Sequence, residues 1–186
     1  MEVPHLPLHR DWTLYFHAKD KSKKYIDNQK KLIDISDVKT FWGTFNNIPK
    51  PSEMFSDGRS IKRIKSTGQI PSALSFFSKG IDPSWEDPMN ENGAEWSIRK
   101  FKDISGVDEL WTNLLVTLIS EDFENSEHIN GIRIVDCTRE TQIMYRIEIW
   151  FDDAELSKFF ETKIKELTGL PHYTKLLYRK HNDVKE

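Results

Sequence analysis

Gln142-Ile-Met-Tyr-Arg-Ile-Glu-Ile-Trp-Phe151 alternates residue by residue. Ile143, Tyr145, Ile147, Ile149 and Phe151 fall on one face of a strand, and Met144, Arg146, Glu148 and Trp150 on the other. Ile129 to Thr138 reads as the hairpin partner upstream. Downstream, a helix starting near Asp153 lines up Leu156, Phe159, Phe160, Ile164 and Leu167 before Gly169 and Pro171 stop it. The aliphatic strand face needs a cover and the helix stripe needs a sheet, so each satisfies the other. The face carrying Arg146, Glu148 and Trp150 is left for a ligand.

The same logic extends to both sides. Trp12 to His17 alternates as a strand with Trp12, Leu14 and Phe16 inward. Lys31 to Ile35, Ala73 to Ser78, Glu95 to Phe101 and Tyr173 to Arg179 read as further strands. Ser36 is placed to cap a helix with Val38, Phe41, Trp42 and Phe45 as its stripe. Val107, Leu110, Trp111, Leu114, Leu115, Leu118 and Ile119 mark a longer one. Strand, strand, helix repeats three times and a strand closes the series. Too few helices exist to cover both faces of a parallel sheet, so the expected class is α+β, an antiparallel sheet with three helices on one side. Trp12, Trp42, Trp96 and Trp111 belong to apolar stripes and read as core, although a helix tryptophan near the surface also suits a partner.

With 186 residues the chain is read as one domain, 1–186, with a flexible segment 1–10 and a long inserted loop at about 49–71. That loop holds three prolines, two glycines and the basic cluster Arg59, Lys62, Arg63 and Lys65. Lys plus Arg is 27 against 30 Asp plus Glu, a net charge of −3 that argues against a non-specific polyanion binder. Apolar runs such as Leu114-Leu115-Val116 are far short of a membrane span, and Met1 to Arg10 lacks a signal-peptide stretch. A lone Cys137 makes neither an internal disulfide nor a multi-cysteine zinc site. The expectation is a monomer of the cytoplasm, with the nucleus as an alternative, without membrane contact, metal or cofactor.

Trp85 stands apart, in the loop Asp82-Pro83-Ser84-Trp85-Glu86-Asp87-Pro88, with no periodic stripe to join. An aromatic ring followed by a carboxylate suits a flat cation with N–H donors: the ring stacks on it and Glu86 accepts its hydrogen bonds. The alternative is that Trp85 plugs the sheet edge and Glu86 is merely solvated. Tyr25 lies in the polar loop Lys23-Lys24-Tyr25-Ile26, and Trp150 shares a face with Arg146. Aromatic and basic groups together suggest a base with phosphates. Against this stand an ordinary exposed tyrosine and a tryptophan buried under the rim.

In order along the chain, Trp12-Thr-Leu-Tyr-Phe, Lys21-Ser-Lys-Lys-Tyr25, Phe41-Trp42, Gly80-Ile-Asp-Pro-Ser-Trp85-Glu86-Asp87, Glu95-Trp96, Leu110-Trp111, Asn130-Gly131, Ile147-Glu-Ile-Trp150 and Leu167-Thr-Gly-Leu-Pro171 resemble the messenger-RNA cap-binding initiation factor 4E family. The resemblance implies a curved antiparallel sheet with three helices on its convex face and a cap slot on the concave one. It implies that Tyr25 and Trp85 sandwich 7-methylguanine, that Glu86 accepts from the guanine N1–H and N2–H, and that Trp150 touches the methyl group. Arg139 and Arg146, with Arg133 as a spare, are the implied grips on the cap triphosphate. Pro7, Leu8, Val38, Trp42 and Glu121 match the surface on which the family binds a helical peptide from a scaffold initiation factor or a repressor. Tyr25 stands where Trp is usual, Glu95 where a basic residue is common, and Cys137 where the hairpin usually carries a basic residue. Thr112, Val116 and Ser120 depart from the usual partner surface.

Three functions follow from these readings. The first is a cap-binding factor that recruits messages for translation initiation. The second is a cap-binding repressor or specialised paralogue that sequesters them. The third is an enzyme using Cys137 with His128, or Asp136 with Asp152 and Asp153; Asp152 and Asp153 more simply open a helix.

Overall fold

Register carries the alternation of each strand across the whole sheet. A computed structural model describes residues 5–19, 28–56, 60–99, 104–139 and 142–183. Among them are strands β1 (Pro7–Ala18), β2 (Gln29–Asp37), β3 (Pro71–Ser78), β4 (Ala94–Arg99), β5 (Ile129–Asp136), β6 (Tyr145–Phe151) and β7 (Leu177–Lys180). They form one sheet in the order β2-β1-β3-β5-β6-β4-β7, with every neighbouring pair antiparallel. Leu14, Phe76, Ile132, Ile149 and Trp96 stand opposite one another in a single row. This face meets α1 (Val38–Phe45), α3 (Ile104–Ser120) and α4 (Ser157–Thr168) through Phe41, Val107, Leu110, Trp111, Leu114, Leu115, Leu118, Phe160 and Ile164, all buried. Burying each large apolar side chain favours the fold by roughly 1.5–3 kcal/mol, which explains why the helices gather on one side.

The curved sheet and its helical backing agree with the sequence reading, and the differences have local causes. The cap of α1 is Asp37 rather than Ser36: its carboxylate accepts from the Thr40 amide at 2.8 Å and the Thr40 hydroxyl at 2.7 Å. Trp12, Trp96 and Trp111 are core, but Trp42 is 40% exposed, because α1 has eight residues and Phe41 takes the inward position. The stretch read as a long loop contains a one-turn helix, α2 (Pro51–Met54). It is pinned by Ser52, whose amide and hydroxyl donate to Asp108 at 2.9 and 2.5 Å, and by the buried ring of Phe55 beside Tyr145. Tyr145 in turn donates to the Ser56 carbonyl. Asp153 caps a short turn, Ala154–Leu156, and α4 begins only at Ser157. Gly169 ends α4 in the left-handed region, at φ 64°.

Candidate functional site

Two rows of side chains cross the face turned away from the helices. One runs Thr13, Phe77, Gly131, Trp150, Glu95, Arg179; the other runs Tyr15, Ser75, Arg133, Glu148, Ser97, Leu177. Gly131 is required at its crossing point. A Cβ there would lie 2.5 Å from the Phe77 ring and 2.6 Å from the Phe76 carbonyl oxygen. Its absence lets Phe77 lie across β5 and meet Trp150 edge-on, with centroids 5.4 Å apart.

Over this aromatic pair sits the loop between β3 and β4. Gly80 turns the chain at φ 91°. Asp87 is the loop's internal anchor, accepting from the amides of Asp82 at 2.8 Å and Met89 at 2.9 Å. Buried Asn90 donates to the carbonyls of Asp82 and Ser84 at 2.8 and 2.9 Å. Asn130 on β5 donates to Asn90 Oδ1 at 2.9 Å and to the Met89 carbonyl at 2.7 Å. His181, just past β7, donates from Nδ1 to the Asn90 carbonyl at 2.7 Å. The Tyr15 hydroxyl reaches the Ile81 carbonyl and Asp82 at 3.4 Å, and burial, with Asp82 beside it, pushes that hydroxyl up to about 12. The loop is therefore fastened to β1, β5 and β7 rather than merely tethered at its ends.

The fastening fixes Trp85. Its ring lies 6.4 Å from that of Trp150, 17° from parallel, and the Arg179 guanidinium is 5.5 Å from its centre. Trp85 is half-buried, and its Nε1 is buried with no hydrogen-bond partner among the described residues. Although Trp85 joins no periodic stripe of the sequence, it has a core to rest on: Tyr15, Phe77, Ile81 and Trp150 form a second, smaller core beneath it. Glu86 is exposed and accepts from the Ser84 hydroxyl, which holds its carboxyl below the usual range and keeps it an ionised acceptor.

Trp150 differs from its expected role. It is 1% exposed, enclosed by Phe77, Trp85 and His181, and its Nε1 donates to Glu148 at 3.0 Å. In this arrangement it backs Trp85 instead of presenting an open face. Arg146 contacts the buried Glu148 at 2.5 Å and Arg133 approaches the same carboxylate at 3.9 Å, whereas Arg139 is exposed at the hairpin tip. Tyr25 lies outside the described residues.

The residues that the resemblance assigns to a partner surface fall on the other side. Pro7 pairs with Asp37 in the β1–β2 register, the Val38 amide donates to the Leu6 carbonyl at 2.9 Å, and Leu8 packs on the main core. These contacts bring Pro7, Leu8 and Val38 to the start of α1, one turn from exposed Trp42. Glu121, at the end of α3, is bridged to Arg10 on β1 at 2.5 Å.

Neither proposed catalytic group is assembled. His128 precedes β5 and Cys137 follows it, which separates them by about 30 Å at the ordinary strand rise. His128 instead pairs with Asp152 at 2.9 Å. Asp136 faces Tyr145 while Asp152 and Asp153 follow Phe151, at the other end of the hairpin.

An antiparallel sheet backed by helices on one face, with a pinned tryptophan–carboxylate loop over the other, defines a small binding module. The model of the family "Eukaryotic initiation factor 4E" matches residues 7–186, and the chain belongs to that family. It is 31% identical over 183 residues to eukaryotic translation initiation factor 4E-1B of Danio rerio, covering 95% of this chain and 77% of the relative. It is 29% identical over 182 residues to eukaryotic translation initiation factor NCBP of Triticum aestivum, covering 95% and 70%. Ascaris suum eIF4E-3, solved with an m7G cap, superposes with a TM-score of 0.79 at 25% identity over 96% of this chain and 92% of that one. C. elegans eIF4E-3, solved with the 4E-binding protein Mextli and a cap analog, gives a TM-score of 0.80 at 23% identity over 97% and 95%, a likeness of fold.

Proposed function

We propose that this chain binds the 7-methylguanosine cap of messenger RNA and recruits it for translation initiation through a partner seated on the helix-covered face. The observation that carries the reading is Trp85, held in a loop fastened to three strands with ionised Glu86 beside it. A methylated guanine is a flat cation, attracted to the face of an indole by about 1–2 kcal/mol once desolvated. Its N1–H and N2–H suit an ionised carboxylate, and Tyr25 is the second ring of the proposed sandwich. Arg139 meets the triphosphate first. Arg133 and Arg146 both approach the Glu148 carboxylate behind it and offer guanidinium donors to the same anion. No proton transfer or bond cleavage is required. Solved family members carrying an m7G cap and a 4E-binding protein support both halves of the proposal.

Titrating the chain with 7-methyl-GTP and with GTP, read by tryptophan quenching, tests this. Strong quenching by the first and little by the second is expected; equal responses would contradict the charge-assisted stack.

One observation favours the repressor reading of the same module. Thr112, Val116 and Ser120 form an exposed row along α3 with a single apolar member. That thin strip suits a divergent partner. Co-purification with the general scaffold factor would count against the repressor, and its absence for it.

A further inference from the structure

The carbonyl of Asn90 can only accept, so His181 Nδ1, 2.7 Å away, carries a hydrogen. The other ring nitrogen, Nε2, is therefore either a bare lone pair or protonated. It is buried, has no hydrogen-bond partner among the described residues, and stands 3.8 Å from Glu95 Oε2, which is equally buried and unpartnered. Glu95 and His181 are 1% and 2% exposed. Without a proton between them, a carboxylate faces a lone pair in a medium that cannot screen the repulsion.

We infer that Glu95 and His181 form a buried couple holding one shared proton, and that this couple positions the Trp85 loop. The inference rests on the cap-binding reading only for its effect on ligand; the couple itself belongs to the free protein. His181 reaches the loop in two ways. Its Nδ1 holds Asn90, whose side chain holds Asp82 and Ser84 on the approach to Trp85. Its ring lies 4.4 Å from Trp150, the ring on which Trp85 is stacked. Glu95 acts through Arg179, 3.9 Å from its Oε1, whose guanidinium also lies over Trp85.

The charged groups facing the couple are Glu148 and Arg146 from β6, Arg133 from β5 and Arg179 from β7. Burial, with Glu148 adding to it, pushes Glu95 up to about 7 against the three arginines. Burial pulls His181 down, against its bond to Asn90. With Glu95 raised and His181 lowered, the hydrogen between them sits on the Glu95 carboxyl, facing Nε2, and leaves near neutrality. Its loss puts Glu95 in repulsion with the imidazole lone pair and with Glu148, and draws Arg179 from Trp85 toward Glu95. Both changes loosen the loop as pH rises.

Glu95→Gln separates this role from simple packing, because the amide supplies a permanent hydrogen to Nε2 in the same volume. In the ligand-free chain, the 15N signals of His181 and the tryptophan emission should show a single transition near neutrality. In E95Q both should stay at their acid-side values. Affinity for 7-methyl-GTP should match in the two proteins at pH 6 and diverge above pH 7, wild type being the weaker, with a one-proton ceiling of about tenfold per pH unit. The ligand's own titration is common to both and cancels in the ratio. Identical pH profiles for wild type and E95Q, or a His181 tautomer with the hydrogen absent from Nδ1, would overturn the couple. If neither protein binds 7-methyl-GTP, the cap reading fails, and the ligand-free transitions still decide the couple.

Discussion

Trp85 and Trp150 stack 6.4 Å apart within 17° of parallel, yet one is half-buried and the other 1% exposed. The pair therefore divides its work: Trp150 holds the second core together and Trp85 presents what that core supports. Trp85→Ala should lower stability by much less than truncation of Trp150, since Trp85 is only half-buried, while abolishing retention on immobilised 7-methyl-GTP. Trp150→Ala should lower stability by about 3–5 kcal/mol, as large core truncations do. Chemical denaturation of the two variants checks this; equal losses of stability would show that Trp85 is only a plug.

Gly131→Ala inserts a methyl group where the Phe77 ring already lies at 2.5 Å. Phe77 must move, and Trp150 loses its edge contact. Overpacking of this kind costs about 1–3 kcal/mol. The expected result is a lowered denaturation midpoint together with altered tryptophan emission. A variant with wild-type stability would mean that β5 shifts freely, contrary to its pairing on both sides.

Asn130→Ala removes both ties between β5 and the Trp85 loop. The Asn90 side-chain oxygen then loses its donor in a buried site, a cost of about 1–3 kcal/mol. Amide hydrogen exchange should accelerate across residues 81–93 while the α3 core stays protected. Uniform acceleration would indicate global destabilisation instead.

His17, bonded to the Ser75 hydroxyl at 2.9 Å, is driven down to about 3 by burial, with Arg133 adding to the shift. An unfolded histidine titrates near 6.5, so the unfolded chain takes up a proton that the folded one refuses. The stability due to this group is full above about 6.5 and is lost as pH falls toward 3. Glu95 contributes with the opposite sign, but equally in wild type and in His17→Gln. The urea midpoint of wild type should thus fall more steeply than that of H17Q between pH 6.5 and 4, and parallel curves would refute the account.

Trp42→Ala addresses the other face. Because its ring is 40% exposed, stability should barely change, while binding of a helical partner peptide should fall by about 2 kcal/mol or more. Retention on 7-methyl-GTP should be unaffected. Loss of cap retention in this variant would show that the two faces are not separate.

The element order and the two faces of β6 were legible because alternation at Ile143 to Phe151 and the 3.6-residue stripe of Val107 to Ile119 are local properties. The stripe of α1 leaves Trp42 open between core and surface, because a stripe names a face but not its cover, and Phe41 alone reaches inward. The Trp85-Glu86 pair stood out by lacking any stripe. What holds it did not: Asp87, Asn90, Asn130 and His181 are scattered along the chain, Asn90 and His181 alone being 91 residues apart, and they meet only through strand register and loop hydrogen bonds. Their nearest signal was the Asn130-Gly131 dipeptide. Burial of Trp150 was equally hidden, because its cover, Trp85, comes from a different loop.

The most direct test is a crystal structure of the chain with 7-methyl-GTP. The base should lie flat between Trp85 and Tyr25, with its N1–H and N2–H donating to the Glu86 carboxylate and its phosphates toward Arg139. A base bound elsewhere, or one whose Watson–Crick edge faces away from Glu86, would contradict the account.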